Sequence, residues 1–94
     1  MYIINGVKYQ EKKFDFGALA KLEECGVSMQ DFQKMKKPVT LIIGLVAWIT
    51  ETDKEEATEI VNQHVANGGK LSDLVSILET LKTSDFFKEA MKQN

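Results

Sequence analysis

The sequence contains no arginine: all 12 basic residues are lysine, and the acidic residues leave a net charge of −2. Proteins that bind nucleic acid usually carry a basic surplus and grip phosphate groups with arginine side chains. We therefore expect no nucleic-acid partner.

Cysteine and histidine are each present once, as Cys25 and His64. A single cysteine cannot form an intramolecular disulfide, and it cannot build a zinc site from thiolates. We expect Cys25 to be a packed or half-exposed residue near a helix end. His64 shares a helix face with Ile60, Val61 and Val65, which favours a histidine at the edge of the core, hydrogen-bonded within the fold, over a metal ligand.

Catalytic signatures are absent too, since the sequence has no phosphate loop, dinucleotide fingerprint, nucleophile elbow or metal-ligand spacing. The adjacent acids Glu23-Glu24 and Glu55-Glu56 point in different directions from a helix, so they do not form a carboxylate pair. We expect neither an enzyme nor a cofactor.

The longest uncharged run, Pro38 to Thr50, raises the question of a membrane span. The helix from Pro38 to Thr50 would be about 20 Å long, whereas a bilayer core is about 30 Å thick and needs about 20 residues. The N-terminus does not resemble a signal peptide either. We expect a cytoplasmic protein with no membrane partner, folded as one domain over residues 1–94.

Asn5-Gly6 lies between two runs rich in β-forming residues, and this pair is typical of a tight hairpin turn. The predicted strands are Met1–Ile4 and Val7–Phe14. An isolated two-stranded hairpin is marginally stable, so we expect it to pack on helices.

Capping signals then predict four to five helices. Asp15 and Gly26 bound the first helix, whose predicted core face is Phe16, Leu19, Ala20 and Leu22. Ser28 and Asp31 form a capping box for a short second helix that presents Met29, Phe32 and Met35.

Pro38 suits the first turn of a third helix that ends near Glu51. Thr52 and Glu55 predict a capping box for the fourth helix, which the glycines after Asn67 end. Ser72 is the predicted cap of the last helix, whose stripe is Leu74, Ile77, Leu78 and Leu81. That helix either continues through the C-terminus or restarts at Ser84. The predicted fold class is therefore α+β, an N-terminal hairpin packed on a small helical bundle.

The third helix carries two apolar stripes, which are Val39, Ile42, Val46 and Ile49 on one side and Leu41, Leu45 and Trp48 on the other. Gly44 would allow a neighbouring helix to approach closely. Either both stripes are buried within one molecule, or the stripe with Trp48 meets another subunit or a client protein.

Phe86 and Phe87 present a similar choice, because adjacent residues on a helix cannot both point fully inward. One can hold the C-terminal segment on the core while the other anchors a partner. The candidate interaction residues are Leu41, Leu45, Trp48, Phe86 and Phe87.

The order of these segments resembles one known family. "YIINGVKYQEKKFDF" leads directly into "GALAKLEECG", and a proline-led "PVTLIIGLVAWI", an acidic capped helix and a final "SDFFKEAM" follow. This layout resembles the small tail assembly chaperones of long-tailed bacteriophages, notably those of phages and prophages of Gram-positive bacteria.

The resemblance implies a non-enzymatic morphogenesis factor that binds the tape measure protein while tube subunits polymerise, and that is absent from the finished tail. It also implies self-association, and contact with the tail tube protein through a frameshift-extended form. The alternative from another class is a small phage-encoded regulatory module that inhibits a host protein or acts as an anti-repressor.

Overall fold

The computed structural model describes residues 2–82, and the side chains of residues 2–80. Its elements in chain order are β1 (Tyr2–Ile4), β2 (Val7–Tyr9), α1 (Phe16–Glu24), α2 (Met29–Gln33), α3 (Pro38–Thr50), α4 (Lys54–Ala66) and α5 (Leu71–Lys82). An N-terminal hairpin followed by five helices confirms the predicted α+β fold.

The hairpin turns at Asn5 and Gly6, as predicted. Their φ angles are 52° and 74°, the left-handed values that a type I′ turn requires at both central positions. Ile4 pairs with Val7 next to the turn, and Tyr2 pairs with Tyr9.

The second strand is much shorter than the predicted Val7–Phe14. It ends at Tyr9 because β1 offers partners only from Tyr2 to Ile4. The chain beyond it leaves the sheet, and Phe14 enters the core with 2% of its surface exposed.

Helix α3 is the centre of the fold. Its Leu41 and Leu45 belong to a cluster with side chains of α1, α2 and α5, while Ile42, Val46 and Ile49 belong to a second cluster with the hairpin, α4 and α5. Residues of both stripes are thus buried within a single molecule. Val39 is the exception, since it lies near the start of the helix and is 65% exposed.

Gly44 lies where α3 packs against Leu22 of α1. A Cβ atom at this position would lie 2.6 Å from Cδ2 of Leu22, which is less than two carbon atoms tolerate. Gly44 therefore lets the buried Leu22 side chain pack directly on α3, as the predicted close approach requires, and a larger residue would force that side chain to move.

The caps of the first three helices agree with prediction. The Asp15 carboxylate accepts the N–H of Ala18, and Ser28 and Asp31 form the reciprocal capping box. Pro38 occupies the first turn of α3.

The predicted caps of the last two helices are wrong. Asp53, not Thr52, caps α4, and its side chain accepts the N–H of Glu56. Helix α5 begins at Leu71, so Ser72 lies inside its first turn, and the Asp73 carboxylate accepts the N–H of Lys70 instead. Asp53 competes with Thr52 because a carboxylate is at least as good a cap as a hydroxyl, whereas Asp73 lies within the first turn of α5 and accepts the N–H of the residue before the helix.

Two predicted core faces are confirmed in part. On α1 Leu19 and Leu22 are buried as predicted, but Phe16 is 70% exposed, Ala20 is also exposed, and Ala18 is buried in addition. On α4 Ala57 and His64 are buried and Ile60 and Val61 pack against the core, whereas Val65, predicted on the same face, is 49% exposed. Within α5 Leu74 and Leu78 are buried as predicted, and the side chain of Leu81 lies outside the described part. None of the helices among residues 2–82 has the length and apolar content to cross a membrane.

Substituting Gly44 with alanine should destabilise the protein by about 1–3 kcal/mol, because the added methyl group collides with Leu22. Urea denaturation of both proteins measures this. The control is the same substitution in a Leu22→Ala background. The obstructing atom is absent there, so Gly44→Ala should lower the free energy of unfolding by less. A Gly44→Ala protein as stable as the parent would contradict the close approach, since helix propensity alone favours alanine by about 1 kcal/mol.

Candidate interaction groove beside Trp48

Trp48 lies in the last turn of α3 and is half-buried. It packs against both core clusters, and its ring meets that of Phe14 edge-on at a centroid distance of 5.8 Å. One edge of the indole is thereby held in the core while the remaining surface faces outward.

Lys12 crosses the outward side of this tryptophan. Its Nζ lies 5.4 Å from the ring centroid, within the range of a cation–π interaction. The same Nζ donates a hydrogen bond of 2.7 Å to the backbone oxygen of Trp48 and lies 3.6 Å from Oε1 of Glu51. The Trp48 oxygen is among the last four carbonyls of α3, which lack partners within the helix, so Lys12 helps to cap its negative end.

A groove of about 430 Å³ opens next to these residues, between α1 and α3. We call it the Trp48 groove. Small residues and the tryptophan form its floor, and four charged side chains form its rim; together the lining residues are Lys12, Gly17, Ala20, Lys21, Glu24, Ala47, Trp48 and Glu51.

The rim charges are partly paired across short distances. Lys21 and Glu24 lie 3.5 Å apart on α1, and Lys12 neighbours Glu51. A shallow apolar floor with a charged rim suits the apolar stripe of an amphipathic helix better than a small polar substrate. The groove is therefore a candidate protein-interaction site.

The candidate residues from the sequence do not all meet here. Leu41 and Leu45 are 0% and 2% exposed in the α1-side cluster, so their assignment to an interaction surface is wrong: the folded chain uses them as core. Trp48 does reach the surface. Phe86 and Phe87 lie outside the described residues.

Sequence reasoning missed Lys12, Gly17 and Ala20. Lysine before a helix normally indicates a solvated residue, and nothing local shows that the chain will fold back over α3. The signal that was available is Gly17 and Ala20 on one helix face, which leaves a shallow surface where long side chains are usual.

His64 is the other polar centre, and it is 5% exposed. Its Nδ1 accepts the backbone N–H of Asn5 at 2.8 Å, so in the neutral ring the proton resides on Nε2. Nε2 lies 3.2 Å from the Lys70 oxygen and 3.3 Å from Oδ2 of Asp73. This confirms the prediction of a histidine hydrogen-bonded within the fold: it ties the hairpin turn to α4 and to the start of α5.

Cys25 is packed in the cluster on the hairpin side, as predicted, with 2% of its surface exposed. Burial raises the pKa of its thiol, which disfavours the reactive thiolate. Among residues 2–82 there is no group of three or more His, Cys, Asp and Glu side chains placed to hold a metal ion.

No protein-family model, curated protein or solved structure matches this chain.

Replacing His64 with phenylalanine should cost about 1–3 kcal/mol of unfolding free energy, because the Asn5 N–H then loses its acceptor at a partly buried position. Urea denaturation is the measurement. Gln63→Ala is the matched control: it removes an exposed hydrogen bond to the Asn5 side chain and should change stability by less. Equal losses in the two variants would contradict the role assigned to His64.

Acid should weaken the start of α5. The pKa of Asp73 lies below its ordinary value of 3.8, first because its carboxylate accepts the Lys70 N–H and further because His64 is near. A lowered pKa stabilises the fold above the unfolded-state value, and that contribution is lost as pH falls below about 3.8. The free energy of unfolding, measured by urea denaturation between about pH 5 and 2.5, should therefore decline less steeply with falling pH for Asp73→Asn than for the parent. Identical slopes would contradict this.

Proposed function

We propose that this protein is a non-enzymatic tail assembly chaperone that binds the tape measure protein of a long-tailed bacteriophage. Two independent considerations support the proposal: the resemblance in the order of sequence segments, and the presence of a surface suited to a helical client. The Trp48 groove is the observation that carries it.

The groove matches what a chaperone for a long helical rod requires. Such a client presents apolar stripes at helical spacing, and these need an apolar floor to lie on. The floor is provided by Trp48 together with Gly17 and Ala20, whose small side chains let a helix backbone come near. The charges of Lys21, Glu24 and Glu51 then select the direction in which the client lies.

In our proposal Lys12 limits the affinity for the client. A client side chain that covers the outward face of Trp48 has to displace the lysine from the ring and from the backbone oxygen it caps. The free energy gained from the client contacts is reduced by the loss of those two interactions. An exposed cation–π contact alone is worth about 0.5–1 kcal/mol. Moderate affinity suits a factor that must leave before the tail is complete.

The remaining parts of the proposal follow the family resemblance. The protein acts in the cytoplasm of the bacterial host, and a frameshift-extended form brings the tail tube protein to the tape measure protein. Neither step requires a cofactor.

Co-expression with the tape measure protein tests the proposal. We expect a soluble complex from a tape measure protein that aggregates when expressed alone. Trp48→Ala should weaken binding by about 30-fold or more, as loss of a central aromatic anchor does. Affinity pull-down, light scattering and titration of the eluted proteins provide the readouts.

The controls separate binding from folding. Val39→Ala truncates another exposed apolar residue of α3 and should bind like the parent. Lys21→Glu alters the rim without touching the core, so it should weaken binding by more than the small fall in the urea midpoint that loss of the Lys21–Glu24 pair causes. If the tape measure protein stays insoluble while this protein elutes alone, the regulatory module becomes the better interpretation. If the complex is soluble and neither Trp48→Ala nor Lys21→Glu weakens it, the chaperone function stands, but the Trp48 groove is not its binding site.

A further inference from the structure

The Lys12 ammonium lies where three groups that attract a cation come together. It is 5.4 Å from the centre of the Trp48 ring, it donates to the backbone oxygen of the same residue at 2.7 Å, and it is 3.6 Å from Oε1 of Glu51. An aromatic face, a carbonyl at the negative end of a helix and a carboxylate each favour positive charge. We call this point the cation position. In the folded chain it is filled by the protein's own lysine.

Lys12 is held at the cation position by contacts that water reaches. Its side chain is 31% exposed and that of Glu51 is 79% exposed, so the ion pair between them contributes little to stability. Lys12 also stands between β2 and α1, in a segment without regular secondary structure. Another cation can therefore replace this lysine without the unfolding of a strand or a helix.

The charges that line the Trp48 groove indicate which client residue suits the cation position. The lining contains two lysines and two glutamates, and Lys21 lies 3.5 Å from Glu24. Displacement of Lys12 therefore takes from Glu51 and from the Trp48 oxygen the cation that they share. An apolar or acidic client residue does not replace that cation. A basic residue restores both the charge balance and the hydrogen bond.

We propose that the Trp48 groove binds a helix that carries an arginine, and that this arginine takes the cation position in place of Lys12. The planar guanidinium group stacks on an indole ring and has several N–H donors, so it can contact the carbonyl and the carboxylate together. It is also less strongly hydrated than an ammonium group. The chain itself contains no arginine, so only a partner can provide this group.

Arginine recognition rests on the proposed function, because it names the residue by which the chaperone holds its client. The neighbouring apolar residues of the client helix then lie on Gly17 and Ala20, at the floor of the groove. Lys12 acts as an internal competitor, since it covers the face of Trp48 until an arginine arrives. Because both cations compete for the same groups, removal of Lys12 should tighten the binding of an arginine and not weaken it.

Model peptides test the cation position without any tape measure protein. Each peptide is an amphipathic helix of alanine, leucine and glutamine without aromatic residues, and its central position is arginine, citrulline or glutamate. Citrulline has nearly the shape of arginine but no charge. Trp48 is the only tryptophan, so its fluorescence in the full chain reports binding. We expect the arginine peptide to bind about fivefold more tightly than the citrulline peptide, and the glutamate peptide to bind most weakly.

Variants of the protein separate recognition of charge from a general change in the groove. Glu51→Gln removes the carboxylate and should reduce the preference for arginine over citrulline to about twofold or less. Lys12→Ala should tighten binding of the arginine peptide by about threefold or more. Lys13→Ala is the matched control, because Lys13 is exposed and does not line the groove, and it should bind like the parent. Urea midpoints show that each variant is folded, and Lys12→Gln serves the same purpose if Lys12→Ala is not.

The possible results distinguish this inference from the chaperone function. Equal binding of the arginine and citrulline peptides, no binding of any peptide up to about 1 mM, or weaker arginine binding by the Lys12 variants would overturn arginine recognition. A tape measure complex that still depends on Trp48 would then leave the proposed function standing. An arginine preference that Glu51→Gln removes, without any tape measure complex, would support the cation position and reject the chaperone.

Discussion

The need to cover α3 on all sides shapes the rest of this structure. The helix is apolar around most of its circumference, and a single small domain has few elements with which to bury it. The contact between Gly44 and Leu22 brings α1 close on one side, while the hairpin, α4 and α5 close the other. Each surrounding element is amphipathic and contributes one face to this helix. The hairpin is itself held in place by His64, which links its turn to α4 and α5.

Burial of α3 decides which apolar surface remains for partners. Its leucines and isoleucines are used by the two clusters, so Trp48 is what the helix shows to solvent near its C-terminal end. Apolar surface then reappears on α1, where Phe16 and Ala20 face outward. The two sides of one short helix thus border two grooves, and we assign the one beside Trp48 to a client.

Local signals predicted the fold where a few adjacent residues specify the backbone. Asn5-Gly6, the Ser28–Asp31 capping box and Pro38 each act through steric or hydrogen-bonding rules that operate within a turn. The errors occurred where neighbours compete or where a distant partner is needed. Asp53 replaced Thr52 as a cap because two suitable residues stand side by side. The second strand stopped at Tyr9 because its partner strand is short.

The sequence by itself determined the element types, the hairpin turn, the central position of α3 and the division of that helix into two apolar stripes. These follow from periodicity and from turn and cap chemistry, which are local. Only the tertiary structure decided that Leu41 and Leu45 are core, that Phe16 faces solvent and that Lys12 lies over Trp48. Which face of a helix is buried depends on the elements that pack against it and on how closely they pack. Those elements are distant in sequence, so local patterns do not determine them.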